Sequence, residues 1–141
     1  MNNELLPSLE TPVAFFIFNR PDTTQLVFAR IRDARPSLLL VIADGPRPAH
    51  QADVNRCAAA RAIIEQVDWP CEVRTNYAIH NMGCGARLAS GLHWVFEQVE
   101  EAIILEDDCV PQADFFSFCA ALLHRYRDDE RIMLISGSNL I

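Results

Sequence analysis

The chain has 141 residues, which is the usual length of a single domain. Half of its residues are hydrophobic and 22% are charged, so it can build a substantial core and is not expected to be disordered. Its net charge of −7, without any basic cluster, disfavours nucleic acid and membrane surfaces as main partners. All twelve basic residues are arginine, and this excludes chemistry that depends on a lysine.

The five cysteines indicate a reducing compartment. Their number is odd, no two of them are spaced as Cys-x-x-Cys, and no signal peptide precedes them. No apolar run approaches the roughly 18–20 residues that cross a membrane. We therefore expect a cytoplasmic protein, or one that is peripheral at the inner face of the membrane, without a transmembrane segment.

A short leader precedes the first predicted strand. Residues 1–11 form this leader, and the domain is predicted at residues 12–141. The continuous apolar run 12–18 predicts a strand that is buried on both faces. The strand ends at Asn19 and Arg20, and apolar residues at helical spacing predict a helix after it.

Two more strands are predicted in the middle of the chain. Residues 38–43 predict the second strand, which is closed by Asp44 and followed by a second helix. Residues 71–77 alternate and are less apolar, as is typical of an edge strand. A loop that contains Gly83 then leads into a third helix.

The fourth predicted strand ends in three carboxylates. The short apolar run 102–105 leads directly into Glu106, Asp107 and Asp108, which we call the acid triplet. A fourth helix is predicted after it, and residues 131–137 predict a fifth strand.

The alternation of strands and helices predicts an α/β fold, with a mostly parallel sheet and helices on both faces. In a three-two-one-four strand order, strands one and four meet at the switch point where such sheets bind ligands. Asn19 and Arg20 would then face the acid triplet, and Asp44 would end the neighbouring strand. This convergence is the main functional signal in the sequence.

The acid triplet predicts a metal–diphosphate site. Carboxylates that lie close together repel, and a hard cation such as Mg²⁺ or Mn²⁺ relieves the repulsion. Asp108 is the candidate metal ligand, while Glu106 and Asp107 are candidates for ribose hydroxyls or metal-bound water. Asp44 is a candidate acceptor for a base or ribose. The alternatives are a strand that ends in solvated acids and, for Asp44, a plain turn.

Three other positions are candidates for the diphosphate. Arg20 would pair with phosphate, unless it is only a surface arginine beside a proline. Gly83 would bring backbone amides near the ligand, unless it belongs to an ordinary loop. Arg87 would point at the diphosphate, unless it is solvated. No arrangement of serine, cysteine or histidine indicates a covalent nucleophile.

Taken in order, these motifs resemble the nucleotide-diphospho-sugar glycosyltransferases of the GT-A fold. The chain is most similar to bacterial haemolysin-related (HlpA-like) or family-2-like sugar transferases, and its acid triplet also resembles the EDD motif of N-acetylglucosaminyltransferase I. The resemblance covers nearly the whole chain. The motifs that carry it are PVAFFIFNRP at 12–21, ADGP at 43–46, NMGC at 81–84, WVF at 94–96, IILEDDCVP at 103–111 and DFF at 114–116.

The resemblance implies a Rossmann-like GT-A fold and a nucleotide-sugar donor, commonly UDP-linked. It also implies Mn²⁺ or Mg²⁺ held by a DxD-type motif. Carried onto this sequence, Asp108 is the direct metal ligand, and Asn19, Arg20 and Asp44 match the nucleotide-binding strand ends of the family. The motif departs from the family pattern in having Glu106 at its first position.

The resemblance also implies a second half that binds the acceptor and supplies the catalytic base, expected beyond Ile141. We therefore interpret the chain as the N-terminal donor-binding half, with a sheet that is incomplete at its C-terminus and no catalytic residue assigned. We expect little or no transfer to any acceptor, whether glycan, lipid or protein, by this chain alone. The alternatives are a non-catalytic nucleotide-sugar-binding or interaction module, and a phosphoacceptor receiver-like domain, which the absence of lysine disfavours.

Overall fold

Strands and helices alternate along residues 8–138, which are the residues that the computed structural model describes. A short 3₁₀ helix, Ile63–Gln66, continues the second helix. No helix among these residues is long and apolar enough to cross a bilayer. The elements are β1 (Val13–Ile17), α1 (Pro21–Ala34), β2 (Leu38–Ala43), α2 (Gln51–Ala62), β3 (Glu72–Tyr77), α3 (Cys84–Gln98), β4 (Ile103–Glu106) and α4 (Phe115–Tyr126).

The four strands form one sheet in the order β3-β2-β1-β4, and every pair is parallel. Phe15 of β1 lies between Val41 of β2 and Leu105 of β4. β3 forms an edge of the sheet, as its less apolar sequence predicted. The predicted α/β class and strand order are confirmed, and the carboxyl ends of β1, β2 and β4 lie side by side.

Helices cover both faces of the sheet, and this explains why β1 is apolar at every position. Its odd-numbered residues face α1, the 3₁₀ helix and α4, where Phe15 packs in a cluster with Phe28 and Phe116. Its even-numbered residues face α3, where Phe16 packs in a cluster with Val95. A strand buried on both faces reads as a continuous hydrophobic run, because neither side of its pleat meets water.

The last residues of the predicted leader are fixed to the domain. The Leu9 N–H donates to the Arg35 carbonyl at 3.2 Å, and the Leu9 carbonyl accepts from the Ser37 N–H at 3.0 Å. Leu9 also packs against the cluster around Phe15. Residues 1–7 of the leader lie outside the described residues.

The fifth strand predicted at residues 131–137 is not formed. Residues 132–136 have no regular secondary structure, and Met133 and Leu134 are 98% and 78% exposed. A continuously apolar strand requires cover on both faces. This segment instead lines an open groove of about 940 Å³, together with β4 and α4. The apolar run at 131–137 therefore resembles that of β1 in sequence, but this segment is not packed between helices on both faces as β1 is.

Gly91 in α3 provides a test of the packing between α3 and the sheet. A Cβ added there would lie 2.5 Å from Phe16 Cε1 and 2.8 Å from Ile42 Cγ2. Gly91→Ala is therefore expected to lower the free energy of unfolding by about 1–3 kcal/mol, because a core that is already filled must shift. Urea unfolding measured by circular dichroism would give the value.

Gly85 is the matched control for this substitution, since it lies in the same helix and a Cβ there would meet nothing within 4 Å. Gly85→Ala should leave stability unchanged or raise it by up to about 1 kcal/mol through helix propensity. Equal unfolding midpoints for the two variants would contradict the packing described here.

Candidate functional site

The ends of β1 and β4 meet through one arginine and two aspartates. Arg20 Nη1 donates to Asp108 Oδ2 at 2.6 Å and lies 3.6 Å from Asp107 Oδ1. Asp107 Oδ2 accepts the Phe18 backbone N–H at 2.9 Å, so it also joins the two strand ends. The structure thus brings together three of the residues predicted for the site.

The acid triplet does not behave as three equivalent carboxylates. Asp107 is only 6% exposed, and burial raises its pKa although the Phe18 N–H and Arg20 oppose the shift. Asp108 is exposed, and its hydrogen bond from Arg20 lowers its pKa. The pKa of Arg20 is raised in return, first by that hydrogen bond and then by the charge of Asp107. Arg20 therefore supplies positive charge that the sequence analysis assigned to a metal ion.

The residues of this edge fit a metal ion in one way only. Within residues 8–138, no three His, Cys, Asp or Glu side chains are placed to hold one. Asp107 is buried and bonded to the backbone, which leaves Asp108 and Glu106 as the exposed acids of the triplet. Mg²⁺ is often bound by one or two carboxylates, with the remaining ligands from phosphate and water. The site fits that mode, and a cation would compete with Arg20 for Asp108.

Asp44, at the end of β2, holds two loops together. Its Oδ1 accepts the N–H groups of Gly45 and Met82, both at 2.8 Å. Its Oδ2 accepts Asn81 Nδ2 at 3.0 Å and the Gly83 N–H at 3.1 Å. The side chain is buried, and both oxygens are occupied by protein donors. A base or ribose, as predicted for Asp44, would have to displace one of them.

A glycine is required at position 83 because of the backbone conformation there. Its φ is +82°, in a region that residues with a side chain rarely adopt, and Gly83 immediately precedes α3. Its N–H is directed to Asp44 at 3.1 Å. The loop therefore uses this amide internally, and a ligand role for Gly83 stays a prediction.

Arg87 is neither solvated nor directed at the acid triplet. Its side chain is buried, and Nε donates to the Ala43 carbonyl at 3.2 Å. Nη2 donates to the Asn76 carbonyl and to Asn76 Oδ1. Burial lowers the pKa of the guanidinium. Arg87 thus joins the ends of β2 and β3, and the predicted contact with a diphosphate is not tested by this arrangement.

Asn19 is held by a residue that the sequence analysis missed. Asn19 Nδ2 donates to Asp53 Oδ1 at 2.7 Å, and Arg47 Nε donates to Asp53 Oδ2 at 2.6 Å. Asp53 is 3% exposed. A signal was present in the sequence, since Asp53, Cys57 and Ala60 have the helical spacing of one face, and all three are buried. An aspartate on the apolar face of a helix indicates a buried partner.

Comparisons of this chain with protein-family models, with curated proteins and with solved structures give no match. Function is therefore inferred from the fold, the chemistry of the strand ends and the sequence motifs of this chain alone.

Proposed function

We propose that this chain is the donor-binding part of a metal-dependent glycosyltransferase of the GT-A fold that uses a nucleotide-diphosphate sugar. A UDP-linked donor is the first candidate. One observation carries the proposal, the contact of Arg20 with Asp107 and Asp108 at the ends of β1 and β4. In the order β3-β2-β1-β4, these strands flank the switch point, where open α/β sheets bind ligands.

The charges at this edge are complementary to a diphosphate with its cation. The guanidinium of Arg20 matches two phosphate oxygens, and the exposed carboxylate of Asp108 matches a hard cation. In the free protein these two groups pair with each other at 2.6 Å. Binding would replace that pair by two new ones, Arg20 with phosphate and Asp108 with the cation, so neither charge is left without a partner. The cation, when bound, would offset the charge that collects on a departing nucleoside diphosphate.

The other residues of the edge would have separate tasks. Asp107, bonded to the Phe18 N–H, keeps the ends of β1 and β4 in register beside each other. Glu106 is exposed at the end of β4 and is free to accept from ribose hydroxyls. Asp44 supports the loop before α3 through its contact with Gly83, and Arg87 joins the ends of β2 and β3 through its contacts with Ala43 and Asn76. The acceptor and the catalytic base are not assigned.

A thermal-shift titration tests the proposal. The chain would be titrated with UDP, GDP, CDP and dTDP, each with Mn²⁺, with Mg²⁺ and with EDTA. We expect one nucleotide to stabilise the fold in a metal-dependent way, by about 2.7 kcal/mol at a hundredfold excess over Kd. The matching monophosphate is the control, because it lacks the second phosphate group. The absence of any shift from a folded chain would overturn the proposal.

A second candidate is a nucleotide-sugar-binding or interaction module without catalysis. It is favoured by the pairing of Asp108 with Arg20 and by the absence of a three-ligand metal group in residues 8–138. Nucleotide binding without sugar transfer, measured on a longer chain that includes the acceptor-binding half, would favour this module over the enzyme.

A further inference from the structure

A buried carboxylate ties together two loops at the carboxyl edge of the sheet. Asp53 lies in the first turn of α2, and its carboxylate accepts from the loop after β1 and from the loop after β2. The donor from the first loop is Asn19 Nδ2, at 2.7 Å. The donors from the second are all of Arg47: Nε at 2.6 Å, Nη2 at 3.1 Å and the backbone N–H at 3.3 Å. Both oxygens of Asp53 are therefore in use.

The first two turns of α2 fix Asn19 from two directions. Asp53 holds its side chain, and Arg56 Nε donates to its backbone carbonyl at 2.8 Å. Arg20 is the next residue, so the starting point of its side chain toward Asp108 is set by these contacts. Arg47, held by Asp53, lies over the ring of Phe18 at 5.7 Å. Contacts made by α2, directly or through Arg47, thus constrain both neighbours of Asn19, which are Phe18 and Arg20.

The network has the properties of a positioning device more than of a stabilising one. Burying a carboxylate has a desolvation cost that its ion pair does little more than offset, so such pairs contribute little to stability. The hydrogen-bonding partners of the Asp53 carboxylate in the described residues all come from the two loops of the carboxyl edge. Arg47 and Asn19 hold the pKa of Asp53 far below its usual range, so the carboxylate is ionised at neutral pH.

We propose that Asp53 is a positioning residue of the nucleotide site, which orients Arg20 through Asn19 and fixes Arg47 without touching the ligand itself. This inference rests on the proposed nucleotide-binding function. It attributes the orientation of Arg20, the arginine proposed to face the phosphates, to a residue more than thirty positions away along the chain.

A double-mutant cycle between Asp53 and Arg20 tests the inference. The variants are Asp53→Asn, Arg20→Gln and the two combined, and UDP with Mn²⁺ is titrated by calorimetry well below each unfolding midpoint. Asp53→Asn replaces an acceptor oxygen by a donor that faces other donors, so we expect about tenfold weaker binding. Because Asp53 acts through Arg20, the double variant should bind no more than about twofold weaker than Arg20→Gln alone.

Asp68→Asn is the control for the loss of an aspartate–arginine pair. Asp68 also pairs with an arginine, Arg32, but this pair joins the last turn of α1 to the segment before β3, at the opposite edge of the sheet. The affinity of the Asp68→Asn variant for UDP should equal that of the wild type. If Asp53→Asn does not fold, Asp53→Glu takes its place, because it keeps the charge for Arg47 but its longer side chain displaces the contact with Asn19. We expect it to bind several-fold weaker.

The outcomes separate this inference from the proposed function. A wild-type chain that does not bind UDP or the other three nucleotides would overturn both. Wild-type binding with an unchanged affinity in the folded Asp53 variant would overturn only the positioning role. Additive losses in the double variant would show that Asp53 acts independently of Arg20, and would also overturn it.

Discussion

Asp108→Asn is expected to abolish the metal-dependent part of UDP binding. The substitution keeps the shape of the side chain but removes the charge that a cation requires, and it replaces the 2.6 Å ion pair with Arg20 by at most a neutral hydrogen bond. We expect affinity in the presence of Mn²⁺ to fall at least about tenfold. Affinity in EDTA should stay the same or increase, because the freed guanidinium of Arg20 is available to phosphate. Calorimetric titrations with Mn²⁺ and with EDTA would measure both effects.

Asp68→Asn is the control for this prediction as well, since the two side chains are similarly exposed (49% for Asp108 and 55% for Asp68) and each pairs with an arginine. It should change neither affinity nor metal dependence. If Asp108→Asn retained full metal-dependent binding, the cation would have to be held elsewhere, and the proposed role of the acid triplet would be wrong.

Asp44→Ala is expected to give the largest loss of stability among the site residues. The substitution removes the acceptor of four hydrogen bonds and leaves the N–H groups of Met82 and Gly83 without partners at the start of α3. We expect the free energy of unfolding to fall by about 2–4 kcal/mol. Urea unfolding followed by tryptophan fluorescence would measure the loss.

Asp33→Ala is the control for Asp44, because Asp33 is exposed and its one side-chain contact within residues 8–138 is a 3.9 Å ion pair with Arg30. A change within about 0.5 kcal/mol is expected there. If Asp44→Ala instead left stability intact and weakened only UDP binding, Asp44 would be a ligand contact, as the sequence analysis predicted. The loop contacts seen here would then be secondary.

The parallel pairing of the strands could be predicted because it depends on features that the sequence carries directly, whereas the strand order was implied by the resemblance to the GT-A fold. Continuous apolar runs mark strands that are buried on both faces, and alternation with helices dictates parallel pairing. The run at 131–137 was wrongly predicted as a strand for the same reason. An apolar run indicates that a segment favours burial. It does not indicate whether helices are available to cover both of its faces, and the exposure of Met133 shows that this segment is not covered.

Contacts among the candidate site residues could be predicted where these residues lie at strand ends, but not where they depend on the direction taken by a long side chain. Arg20 and Asp108 follow β1 and β4 directly, so topology alone brings them close. Arg87 was expected either to be solvated or to point at a diphosphate. Its side chain is buried and reaches carbonyls of β2 and β3, so it is not solvated, and the diphosphate contact stays a prediction. Asp53 was missed because its partners come from two loops that sequence spacing does not connect.

The central position of β1 also governs how this chain must fold. β1 pairs with β2, but its other side is completed only by β4, with Val13 opposite Ile103. A nascent chain therefore carries a fully apolar strand with one open edge until the residues of β4, some ninety positions later, have been made. Such long-range parallel pairing slows folding and leaves the intermediate open to aggregation.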